Sequence, residues 1–190
     1  MTGRKILTEP NKILRKKSLR VENVDKDIQQ LMDDMLETLY AAPGIGLAAI
    51  QVGIAKRVIV MDISRSRNDI GRDKDEINKK EDKESKGPMY FVNPKITWKS
   101  EDKFTYEEGC LSLPNQFAEI DRSKQCHVEY LDYNGHPKEL RADGLLATCI
   151  QHEIDHLEGI LFIDYLSKLK KSMIIKKLSK QKKAIERIIV

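Results

Sequence analysis

His152, Glu153 and His156 stand in the order His-Glu-x-x-His, within Gln151-His152-Glu153-Ile154-Asp155-His156. On a helix, residues four apart share a face, so both imidazoles can point at one metal ion. Glu153 is one position round, beside the open side of such a metal, where it can take and return the protons of a water. This is the residue set of a metal-dependent hydrolase.

A catalytic site of this kind has three protein ligands and one open position. One metalloprotease class continues as H-E-x-x-H-x-x-G-x-x-H. Here the glycine is present as Gly159, but the last position is Phe162, which cannot ligate. His136 beside Pro137 reads as a turn residue, and a lone strand histidine such as His127 is usually surface or satisfied core. Cys149 lies on the histidine stripe, yet about 10 Å along the axis from His156 at 1.5 Å per residue. It suits a pocket wall better than a ligand. Cys110, in Glu107-Glu108-Gly109-Cys110-Leu111-Ser112-Leu113-Pro114, is the strong candidate for the third ligand. A thiolate on a separate segment can meet the helix from the other side, and Gly109 lets another backbone come close.

Several elements must position these groups. Leu145, Leu146, Cys149, Ile150 and Ile154 predict a largely buried helix, beginning at Asp143 or Gly144 and stopping near Gly159, with Asp143 as N-cap. Residues 26–40 space Ile28, Leu31, Met32, Met35, Leu36 and Leu39 as an amphipathic helix that Pro43-Gly44 ends. Val58 to Met61, Tyr90 to Val92, Ile96 to Trp98 and residues 126–131 read as strands, the last leading to a hairpin turn at Asn134-Gly135. A last helix is expected from about Leu166, with Leu166, Leu169, Met173, Leu178, Ile185 and Ile188 on or near one face. Residues 64–88 hold eight basic and seven acidic residues with only Ile70 and Ile77 apolar, the composition of a long solvated loop.

Gly44-x-Gly46-x-x-Ala49, with Asp62 downstream, imitates a dinucleotide fingerprint. That fingerprint must follow a strand and open a helix; here a helix precedes and a strand follows. The glycines are expected instead to let a substrate backbone lie close, with Ile45 pairing with an extended peptide.

At 190 residues, 40% hydrophobic and 34% charged, the chain suits one globular domain. No apolar run approaches 18 residues, and no signal-like segment opens the chain, so neither a membrane partner nor export is expected. Three cysteines, Cys110, Cys126 and Cys149, do not make a disulfide framework and suggest a reducing compartment. Residues 165–190 carry nine basic residues and one acidic, a charge of +8, leaving −4 for the rest of a chain whose total is +4. The body is therefore not a DNA-binding domain. The basic tail is either the solvated face of a packed helix or a docking element for ribosomal RNA.

Three segments together, Gly44-Ile45-Gly46-Leu47-Ala48-Ala49-Ile50-Gln51, Glu108-Gly109-Cys110-Leu111-Ser112 and Gln151-His152-Glu153-Ile154-Asp155-His156, resemble the signature motifs of peptide deformylases, in that family's order and roughly its spacing. The resemblance runs from Pro10-Asn11 to the C-terminal helix; the insertion at 64–88 is longer than in many members. It implies an α+β fold with antiparallel β-sheets packed around a central motif-bearing helix, an N-terminal helix and a C-terminal helix. The implied activity is removal of the formyl group from N-terminal formyl-methionine of nascent polypeptides. The resemblance gives Cys110, His152 and His156 to the metal, Glu153 to proton transfer, and the Gln51 amide and Leu111 N–H to the oxyanion. Ile45, Gly46, Tyr106, Gly109, Leu145, Thr148 and Cys149 are expected to bind substrate. The cofactor is one divalent metal, iron(II) in cells, with zinc, nickel or cobalt as substitutes. A bacterial cytoplasm is expected ahead of an organelle. The competing reading is a metallopeptidase-like hydrolase using the same Cys/His/His site.

Overall fold

The computed structural model describes residues 3–65 and 87–188, the side chains of 182–188 excepted. From 66 to 86, the charged stretch expected as a loop lies outside the described residues.

Asp25 starts helix α1 (Lys26–Ala41) by accepting the Ile28 N–H at 3.0 Å, an N-cap on the expected amphipathic segment. Strand β1 (Gly46–Ala48) and β2 (Val58–Met61) follow. The chain then adds β3 (Met89–Lys99), β4 (Lys103–Cys110), β5 (Leu113–Ser123), β6 (Gln125–Leu131) and β7 (Pro137–Asp143). Helices α2 (Gly144–Leu157) and α3 (Lys168–Ile188) complete it. All strand pairs are antiparallel. One sheet has the order β1-β2-β3-β6-β7, and β4-β5 form a separate hairpin.

β2 is buried on both faces, which is why it reads as an unbroken apolar run. Val58 and Val60 pack towards α1 with Met32, Met35 and Leu39. Ile59 and Met61 pack towards α2 with Leu146, Ile150 and Leu157. α2 is buried nearly all round, between that sheet and the β4-β5 hairpin. A third cluster, Leu113, Ile120, Phe162, Ile163 and Leu178, seats α3 against β5.

Three expectations need correction. The segments Tyr90–Val92 and Ile96–Trp98 are one strand, not two. Asn93 adopts φ 53, the register shifts between Val92 and Lys95, and the Asn93 amide bonds the Val21 backbone, so the strand absorbs Pro94 as a bulge. Asp143 stands at the N-cap of α2 as expected, though its side chain makes no cap bond; its carboxylate takes the Gln125 side-chain amide at 2.5 Å. α3 starts at Lys168, after a 3-10 turn over Phe162–Tyr165. Its inner face is Ile174, Ile175 and Leu178, whereas Leu169 and Met173 are 72% and 62% exposed. Ile185 and Ile188 have side chains outside the described set.

α2 stops where Gly159 takes φ 75. A Cβ there would stand 2.6 Å from the Arg15 carbonyl oxygen, so the helix end is tied to the N-terminal segment by a contact that only glycine permits.

Candidate active site

Cys110 ends β4, where the register with β5 shifts between Gly109 and Cys110. His152 and His156 project from adjacent turns of α2, ring centroids 4.9 Å apart. The ligand atoms of Cys110, His152 and His156 all lie within 4.8 Å of one another, and Cys110 Sγ is 3.2 Å from His156 Nε2. A soft thiolate and two imidazoles suit a first-row divalent cation. His152 Nδ1 is 2.7 Å from Glu108 Oε2. That bond leaves the other ring nitrogen of His152 to act as a ligand, as histidine ligands usually do. His156 Nδ1 and Glu153 Oε2 are buried without a hydrogen-bond partner. The residues fit a metal site with a free position.

Glu153 is 4% exposed and faces Gly46. A Cβ on Gly46 would fall 2.4 Å from Glu153 Oε1 and 3.0 Å from Cys149 Sγ. Gly46 therefore makes room first for the carboxylate. Burial pushes the Glu153 carboxyl up to about 7, Glu108 and Asp155 add to this, and His152 and Arg122 oppose it. A base poised near neutrality is what proton transfer at physiological pH requires. Cys149 is buried in the same wall, and burial holds its thiol well above the usual range, consistent with an apolar lining rather than a ligand.

Gln51 stands in a 3-10 turn after β1. Its Oε1 accepts the Ala48 N–H at 2.8 Å, which fixes the amide so that Nε2 faces Ser112 Oγ at 3.1 Å and Cys110 Sγ at 3.6 Å. Leu111 lies at the β4-β5 turn with its side chain over Gly44, where a Cβ would meet it at 2.8 Å. The N-terminal arm joins the two motif segments: the Leu7 N–H donates to the Gln51 carbonyl at 2.7 Å, and the Glu9 N–H to the Ser112 carbonyl at 2.9 Å.

Ile45, expected to bind substrate, is half-buried, and its carbonyl accepts the Asp62 N–H at 2.8 Å. This continues the β1-β2 register, in which Ile45 and Leu47 face β2 while Gly46 and Ala48 face the other way. The outer edge of β1 pairs with no described strand. The backbone groups turned to that outer edge are those of Gly46. Asp62 is spent on this loop, bonding Tyr40 and Ser64 as well, so it completes no nucleotide fingerprint. Thr148 is buried, and Leu145 and Tyr106 are half-buried, Tyr106 stacked on Phe104 at 6.0 Å. Gly109 faces outward, where Phe117 lies across it and would meet a Cβ at 2.7 Å. His127 stacks on Trp98 at 4.7 Å and His136 sits 71% exposed in the hairpin turn; neither joins the triad.

Sequence patterns missed the partners of Glu108. Arg122 Nη2 donates to Glu108 Oε2 at 3.1 Å, and Nη1 to Asp155 Oδ2 at 2.7 Å. Tyr165 also donates to Asp155 Oδ2, at 2.8 Å, and its ring centroid lies 5.0 Å from the guanidinium carbon. Burial alone would raise the Glu108 carboxyl, but the bonds from His152 and Arg122 outweigh it and hold Glu108 below its ordinary value. These pairs are far apart in sequence and leave no local spacing to read.

The sequence profile of the family described as Polypeptide deformylase matches residues 3–172. The chain belongs to the peptide deformylase family. A peptide deformylase of Pelagibacter ubique is 63% identical over 190 residues, covering 100% of both chains. One of Phenylobacterium zucineum is 52% identical, covering 97% of this chain and 99% of its own. The crystal structure of the peptide deformylase of Ehrlichia chaffeensis superposes with a TM-score of 0.82 at 43% identity, covering 95% of this chain and 97% of that one. The fold is the expected α+β arrangement. The chain is a metal-binding hydrolase of protein biosynthesis that removes the formyl group from N-terminal formyl-methionine. The match is to deformylases and not to the peptidases of the second reading.

A cation held by this triad would feel Glu108 through the His152 ring. Glu108→Gln keeps the shape and removes the charge. Its metal dissociation constant, measured against a competing chelator, is expected to rise about 10- to 100-fold. An unchanged constant would mean that Glu108 serves Arg122 alone.

Proposed function

We propose that Cys110, His152 and His156 hold one divalent metal, iron(II) in the cell and replaceable by zinc, nickel or cobalt, and that Glu153 is the acid-base residue of deformylation. The observation that carries this reading is a buried carboxylate with one unpartnered oxygen on the same helix as two converging imidazoles. When bound, the cation supplies Lewis acidity that brings the pKa of water towards neutrality.

The chain's own groups do the rest. Glu153 removes a proton from the attacking water. As charge builds on the formyl oxygen, Gln51 Nε2 and the Leu111 N–H donate to it, each such donor being typically worth about 3 kcal/mol. Gln51 is suited to this because Ala48 already occupies its oxygen. Glu153 then gives its proton to the departing amine, leaving formate and a free N-terminus. The peptide after formyl-methionine lies along the outer edge of β1 at Gly46, with the Gly109 backbone on the opposite segment. The methionine side chain occupies the apolar wall of Ile45, Tyr106, Leu145, Thr148 and Cys149.

The formylated nascent chains that this family acts on emerge from ribosomes, and we place the enzyme in a bacterial cytoplasm as one catalytic domain. Among the described residues no helix is long and apolar enough to cross a membrane. The outer face of α3 exposes Lys168, Lys170, Lys176, Lys177 and Lys180 together with Leu169 and Met173. This favours docking on ribosomal RNA through that face.

Two outcomes are expected. In protein purified without oxygen, Glu153→Ala keeps its iron, while formate release from formyl-Met-Ala-Ser falls about 100- to 10,000-fold. Near-normal turnover would remove Glu153 from the mechanism, and zinc in place of iron would overturn the metal assignment. Lys170→Glu with Lys177→Glu should weaken cosedimentation with ribosomes and spare hydrolysis of small formyl peptides, since both side chains are exposed and Leu178 keeps the helix seated. Unchanged cosedimentation would defeat the docking assignment.

A further inference from the structure

Arg65 closes the short 3-10 turn after β2 and reaches back to the end of α1. Its Nη1 donates to the Leu39 carbonyl at 2.7 Å and to the Gly44 carbonyl at 3.3 Å. Its Nη2 donates to the Tyr40 carbonyl at 3.2 Å and the Ala42 carbonyl at 3.4 Å. The guanidinium carbon lies 4.9 Å from the Tyr40 ring centroid. α1 has no basic residue in its last turn, so the carbonyls at the negative end of its dipole take their cation from another element. A second contact holds the same loop. The Tyr40 hydroxyl donates to Asp62 Oδ2 at 2.7 Å, and the Asp62 N–H donates to the Ile45 carbonyl at 2.8 Å. The carbonyls of Gly44 and Ile45 are thus both fixed, one by Arg65 and one by Asp62. The next residue is Gly46, whose own N–H and carbonyl face the open edge of β1.

We propose that Arg65 is a positioning residue for peptide binding, acting through the Gly44 carbonyl to hold the edge of β1 in the orientation that receives the residues after formyl-methionine. The proposal rests on the reading of that edge as the peptide site. The planar fork is essential to it, because one ammonium group cannot meet four carbonyls of different direction.

The test compares formyl-Met-Ala-Ser, long enough to run along the edge, with formyl-methionine, which has no residue beyond the methionine to do so. The wild type, Arg65→Ala and Arg65→Lys are assayed with metal content measured alongside. Arg65→Ala is expected to raise KM for the tripeptide about ten-fold, the scale of one misaligned hydrogen bond. It should change kcat and the KM of formyl-methionine less than about two-fold. Arg65→Lys preserves the charge and guards against a folding failure; it should raise the tripeptide KM selectively and recover only part of the loss. Equal losses on both substrates, a fall in kcat, full recovery by lysine, or no change would each overturn the proposal. If the wild type itself shows no preference for the tripeptide, the peptide-edge reading falls first and the proposal with it.

Discussion

Two imidazoles and a carboxylate lie buried on a single helix, and the structure around them is arranged to hold that polar cluster out of water. A polar group taken out of water without one is costly, and a charge more so. α2 carries His152, Glu153 and His156 at 8%, 4% and 0% exposure. Glu108 meets His152 from β4, Arg122 meets Glu108 from β5, and Asp155 and Tyr165 close the far side of Arg122. The β4-β5 hairpin is therefore more than a cover for the helix. It delivers the Cys110 thiol, the carboxylate that bonds one histidine, and a guanidinium that, with that histidine, holds this carboxylate below its ordinary value. Among the buried atoms left without a partner is one oxygen of Glu153, the neighbour of His152 on the same helix.

The opposite wall is built by close approach. Gly46 has no side chain because Glu153 occupies its space, and Gly44 has none because Leu111 does. These contacts hold three distant motifs within reach of one another. Backbone bonds from Leu7 and Glu9 then bind the Gln51 and Ser112 segments from the outside. Such a site is preorganised: Gln51 cannot turn its amide without losing the Ala48 N–H.

Elements whose burial follows their own periodicity were legible in the sequence. α1 has one apolar stripe, β2 is apolar on both faces, and α2 is hemmed by Asp143 and Gly159. The convergence of Cys110, His152 and His156 was legible too, because the two histidines share a helix face and Cys110 has few competitors. Less legible was whatever depends on long-range pairing. β5 carries Glu119 and Asp121 on its outer face, with Glu119 opposite Glu107, so its alternation does not read as a hydrophobic strand. The bulge at Asn93 depends on Val21, far back in the chain. In α3, Leu169 and Met173 offered a second stripe as plausible as Ile174, Ile175 and Leu178, and only β5 decides between them. Arg65 was lost in a charged stretch whose composition argues for solvent, although its guanidinium binds the end of α1.

The central claim is that a thiolate from β4 and two imidazoles from α2 grip one cation, and Cys110 is the ligand that tests it most directly. Metal content and formate release should be measured on the same anaerobic sample of Cys110→Ser. A hydroxyl is a far poorer ligand than a thiolate for these metals. The account predicts loss of stoichiometric metal together with loss of formate release. A variant that kept a full complement of metal and deformylated at the wild-type rate would contradict it.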